Sequence, residues 1–164
     1  MPKGHRPYRE GVIAGIIGAT GVAAWFLIVD VVSRHGILFT PRLLGTALFS
    51  VFGNTTHDGL LVHVVVYTIF HYGVFIVGGV ISSFVVHKAS EEPSVLVVFM
   101  LLFIIFELGV TGVAAMMAEG QLHALAWYQV AIGNLLAAAL MGVYLWRTHP
   151  ALKAEFAHAM GGEE

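Results

Sequence analysis

The chain contains no cysteine. Disulfides, thiolate metal ligands and cysteine nucleophiles are therefore excluded, and the compartment stays open on this ground. Charge is almost as scarce: Asp, Glu, Lys and Arg make up 11% of 164 residues, where soluble domains carry roughly 25%. No long basic run exists to hold a nucleic acid, and the net charge is only −2. A phosphate-binding glycine loop, a serine triad pattern, an internal repeat and a low-complexity tract are all missing too. No loop is long enough to form a catalytic domain.

What is present is hydrocarbon. Hydrophobic side chains account for 58% of the sequence, and the missing charge has been withdrawn from four long blocks. These run from Val12 to Val32, Leu60 to Val86, Val95 to Ala118 and about Leu122 to Trp146. Each exceeds the ~20 residues that a helix needs to cross ~30 Å of hydrocarbon. Unbroken apolarity favours helices over barrel strands, which alternate. Lys3, Arg6 and Arg9 resemble the basic start of a signal peptide. The apolar stretch behind them is too long for one, and no small-residue cleavage site follows, so it reads as a retained span.

The expected fold is an all-α, antiparallel four-helix transmembrane bundle occupying residues 1–164 as one domain, with a cytoplasmic tail over 147–164. Lys3, Arg6, Arg9, Lys88, Arg147 and Lys153 fall on one side, against Arg34 and Arg42 on the other. Six basic residues against two place both termini in the cytoplasm, as in a bacterial inner membrane. Trp25, Trp127, Tyr144 and Trp146 lie toward span ends, where aromatic side chains anchor at the interface or join the core.

Between spans one and two, Thr40-Pro41 reads as an N-cap followed by proline at the first helical position. The apolar stripe Leu43, Leu44, Ala47, Leu48, Val51 and Phe52 follows at helical spacing. A short helix over about 41–52, lying in the outer interface, is expected. Asn54-Thr55-Thr56 matches a glycosylation acceptor. Pro150 opens a weakly amphipathic stretch with Leu152, Phe156 and Met160.

Lipid tails are as apolar as leucine, so membrane helices associate through close backbone approach and shared polar groups. Gly11, Gly15, Ala19 and Ala23 form such a groove on span one. Gly73, Gly78 and Gly79 offer one on span two, Gly109 and Gly112 on span three, and Gly133, Ala137 and Gly142 on span four. These grooves suit packing within the bundle, other membrane protein subunits or a homo-oligomer.

Ionisable groups within a span are costly and mark candidate sites. His71 lies ~16 Å inward from Leu60, Glu107 ~18 Å inward from Val95, and Asn134 about as far into span four. All three are expected near the bilayer midplane, with His63 and Tyr67 on the His71 stripe and Gly78 and Ser82 continuing it. Three readings fit this layer. His71 and Glu107 could pair to fix the helix register. They could form a proton- or ion-handling site, since a carboxylate beside an imidazole titrates near neutral pH. Alternatively, His71 could ligate a metal ion, haem or a chlorophyll-type pigment. A second cluster at the outer end, Asp30, His63, Glu119 and His123 with His57 and Asp58 nearby, has the residue types of a metal site. Neither HExxH nor the paired Glu-x-x-His motif of di-iron bundles is present.

The functional expectation is a small integral membrane protein acting as a non-catalytic accessory or structural subunit of a larger membrane complex. The alternative is a redox, pigment-binding or proton- or ion-handling protein centred on His71 and Glu107.

Overall fold

The computed structural model describes residues 7–51, 59–89, 92, 94–95, 97, 99–101, 103–104 and 127–148. Among them, helix is the only regular secondary structure. The elements are α1 (Pro7–Val32), α2 (Phe39–Val51), α3 (Leu60–Ala89) and α4 (Trp127–Thr148). Described residues between 94 and 104 are also helical. Three helices, Pro7–Val32, Leu60–Ala89 and Tyr128–Thr148, are long and apolar enough to cross a membrane. Glu107, Glu119, His123, His57, Asp58, the Asn54-Thr55-Thr56 triplet and the tail beyond 148 lie outside the described residues.

Helix α1 is the hub. It packs most extensively against α3 and next against α4, whereas α3 and α4 barely meet. A third (33%) of its most apolar stretch is buried inside the chain, against 6% for α3. Large apolar side chains of α3 and α4, such as Leu61, Ile69 and Leu135, point outward. That distribution suits lipid as the surrounding solvent.

Close contacts set the direction of each pair. A Cβ on Gly11 would strike the backbone of Gly79 and Val80, and one on Gly15 the backbone of Phe75 and Ile76. Next in series, Ala19 meets His71. Rising numbers on α1 meet falling numbers on α3, so the two are antiparallel. Against α4, Gly18 meets Met141, Gly21 meets Leu140, and Gly133 meets Trp25 and Phe26. This pair is antiparallel as well, which makes α3 and α4 parallel to each other.

The α1–α3 seam advances in steps of four on both helices, through 11, 15 and 19 on one and 71, 75 and 79 on the other. That is the ridge used by small-residue crossings, where a missing Cβ brings backbones together. Buried Gly79 and Ser83 extend the stripe of His63, Tyr67 and His71 at the same step. The expected continuation through Gly78 and Ser82 is therefore displaced by one residue, because Gly78 faces open space. Ala23 likewise leaves the expected groove and is exposed, while Gly18 and Gly21 form a second small-residue face toward α4.

Helix ends have identifiable causes. Pro7 opens α1, where its missing N–H costs nothing. At the other end, Arg34 donates its N–H to Val31 O at 3.1 Å and His35 donates to Asp30 O at 2.8 Å. These two bonds form a Schellman motif, whose C′ residue sits in the left-handed region. Arg34 does so with φ 57°. Helix α2 then begins at Phe39, two residues before the expected start, so Thr40 is inside the helix. Its cap comes from a distance, as described next.

Candidate functional site

Asp30 and Thr40 are the most buried polar pair among the described residues, at 1% and 2% exposure. Thr40 donates its backbone N–H to Asp30 Oδ2 at 2.9 Å and its hydroxyl to Oδ1 at 2.7 Å. One carboxylate from the last turn of α1 thus caps the first turn of α2, in the place of a local Ser or Asp N-cap. Two charge-assisted bonds and the positive end of the α2 dipole offset part of the carboxylate's desolvation. The connection 33–38 is held in a tight turn as a result.

Halfway along α1 lies the second polar group. His71 Nε2 is 3.1 Å from Ala19 O, and Nδ1 is 3.4 Å from the Tyr67 hydroxyl. A carbonyl only accepts, so Nε2 carries a proton, and in the neutral ring that an apolar interior favours Nδ1 then accepts from Tyr67. Both ring nitrogens are engaged in this arrangement. Ligating a metal, haem or pigment through His71 would require one of these bonds to be given up. Beside it, Thr20 donates to Ile16 O at 2.8 Å, so Tyr72 must donate to Thr20 Oγ1 at 3.1 Å. The polar layer in the middle of α1 and α3 is therefore a set of clasps between two helices.

A third clasp ties α4 to α1, where Trp25 Nε1 donates to Gln129 O at 2.9 Å. It borders the core of Val22, Phe26 and Ala137, against which Trp25, Phe75 and Val130 pack. Asn134 adjoins Gly133, which rests on Trp25 and Phe26. On α1 this lies six or seven residues beyond Ala19, or ~10 Å nearer the outer end than the level of His71. His63 stands at the start of α3, its ring edge-on to Phe49 at 4.9 Å. Its backbone carbonyl closes on Gly45 of α2.

Of the expected outer cluster, then, Asp30 serves as a helix cap and His63 packs in the α2–α3 contact. Among the described residues, no three His, Asp or Glu side chains gather as a metal site would require. Thr20 and Tyr72 were not singled out as site residues from sequence, although both are polar residues inside apolar blocks, which was the available signal; Thr40 was read as a local N-cap, whereas it is the residue that Asp30 caps.

Between the two polar groups runs a cleft of about 240 Å³. Val22, Phe26 and Leu27 of α1 line one wall and Val64, Thr68 and Tyr72 of α3 the other. Leu38 and Thr40 close the outer end, and Tyr67 and His71 the inner. Comparisons of this chain with protein-family models, curated proteins and solved structures find no match.

Proposed function

We propose that this protein is a four-span membrane protein that serves as a non-catalytic subunit of a larger membrane assembly, with both termini in the cytoplasm. The observation that carries the subunit reading is how the polar groups at the helix contacts are used. Asp30, His71, Trp25 and Tyr72 all bond within the chain and fix helices to one another. Groups committed to holding helices suit a structural part better than a reaction centre. The broad apolar faces of α3 and α4 supply surface for other subunits as well as for lipid.

Helix directions support the four-span count. Helix α3 ends at the level where α1 begins, and α4 begins at the level where α1 ends. A chain that leaves one face and re-enters from the other must cross an odd number of times between 89 and 127. The apolar block 95–118 supplies one crossing of sufficient length. This supports reading the protein as a four-helix bundle with α2 in the outer interface, oriented by the distribution of Lys and Arg. Purification in mild detergent tests the subunit role: a larger complex with defined partners is expected, and a stable isolated monomer would contradict it.

A second reading draws on the hydrogen-bonded Tyr67–His71 pair facing the cleft. With Glu107 brought beside it, that pair would make a proton- or ion-handling centre. Flux through proteoliposomes that is abolished by Glu107→Gln would favour this reading, and unchanged flux would remove it.

A further inference from the structure

We infer that the α1–α3 cleft binds a lipophilic primary amine, with its ammonium among the polar groups of the cleft and its hydrocarbon between the two helices. The case rests on the cavity and on an inventory of hydrogens. Among the described lining residues, every hydroxyl hydrogen that could enter the cleft is directed elsewhere. Thr40 donates to Asp30, Tyr67 to His71, Thr68 to Val64 O at 2.7 Å, and Tyr72 to Thr20. His71 has spent both nitrogens. Each of those hydroxyl oxygens keeps a lone pair, so the described lining retains acceptor capacity and offers no side-chain donor. A carbonyl- or carboxylate-ended guest finds nothing to bond, whereas a donor finds several partners.

Charge narrows the choice. Asp30 accepts through both carboxylate oxygens, and among the described residues no Lys or Arg lines the cleft. With only 1% exposure, Asp30 contributes mainly its field, which acts across an apolar wall of low dielectric and is weakly screened. A buried carboxylate without a cation is costly, and a cation entering beside it recovers part of that cost. The hydroxyl oxygens of Tyr67, Thr68 and Tyr72 are the acceptors that the described lining offers to the ammonium's hydrogens. Val22, Phe26, Leu27 and Val64 would bury an alkyl chain. This inference is independent of the subunit role.

The test uses the full chain in zwitterionic lipid nanodiscs, dialysed against labelled decylamine, decanol or decanoate, with empty discs subtracted. Saturable binding of about one decylamine per chain is expected, about tenfold or more tighter than decanol, with none for decanoate. Ala23 also lines the cleft, and Ala23→Trp, which fills it from an exposed position, should abolish saturable binding. Asp30→Asn should weaken the amine about tenfold and leave the alcohol unchanged. Equal uptake of the three probes, no saturable amine binding, or amine binding indifferent to Ala23→Trp would overturn the inference. Ala23→Trp decides the matter if Asp30→Asn does not fold.

Discussion

The two halves of the α1–α3 pair are built on different principles. In the inner half, Gly11, Gly15 and Gly79 remove side chains from the seam, and backbone lies against backbone. In the outer half, α1 presents Val22, Phe26 and Asp30 instead, and a cleft opens between the helices. Helix α2 fills part of the wedge by seating Gly45 on the His63 carbonyl. Two helices that cross at an angle can be in close contact over only part of their length. Where closeness ends, polar bonds between specific side chains take over the work of fixing geometry. The lesson is that glycine sets the point of contact, while Asp30, Thr40, Tyr67 and His71 define the space left over.

The largest effect should follow from filling the inner seam. Gly15→Val would drive a branched side chain into the backbone of Phe75 and Ile76, which cannot rotate away. A loss of about 3 kcal/mol is expected in reversible unfolding from mild detergent. A loss below about 0.5 kcal/mol, the ordinary range for surface substitutions, would mean the seam is looser than described. Next is the outer half: Asp30→Ala strands the N–H and hydroxyl of Thr40 in a buried setting, at a cost of about 2 kcal/mol. Faster proteolysis between residues 33 and 38 should accompany it, since that turn loses its tie. The smallest effect is a gain. Arg34 holds a left-handed φ of 57° in the connection between the halves, and Arg34→Gly should relieve about 1 kcal/mol of that strain. Unchanged or lower stability would show that the Arg34 side chain contributes more than its backbone conformation costs.

Much of the architecture was legible because bilayer thickness leaves a coarse signature. Helices α1 and α3 overlap the apolar blocks at 12–32 and 60–86, α2 overlaps the helix expected over 41–52, and α4 covers the described part of the block at 122–146, while most of the block at 95–118 lies outside the described residues. Gly11, Gly15 and Ala19 were recognisable as a contact face from their spacing alone. Partner choice was not. Nothing in the sequence tells Gly79, pressed against α1, from Gly78, which faces open space, because one position around a helix is only 100° and the crossing angle decides which is inside. Asp30 shows the same difficulty in chemical form. Its position near a span end matched a metal ligand, yet its partner is ten residues away across a turn whose geometry depends on a left-handed arginine. Asn134 could be placed by counting residues, but counting assumes that spans start at a common level. The contact of Gly133 with Trp25 and Phe26 puts it nearer the outer end than His71.

The relative direction of the three described long helices is the claim from which the rest follows, and labelling tests it most directly. The absence of native cysteine makes single-cysteine variants straightforward to read. Cysteines placed at His35, Lys88 and Thr148 would be challenged in sealed cells with a membrane-impermeant maleimide. The account predicts that position 35 reacts from outside, while 88 and 148 react only after the membrane is opened. Labelling of 88 and 148 from opposite faces would contradict the parallel course of α3 and α4, and with it the crossing between them.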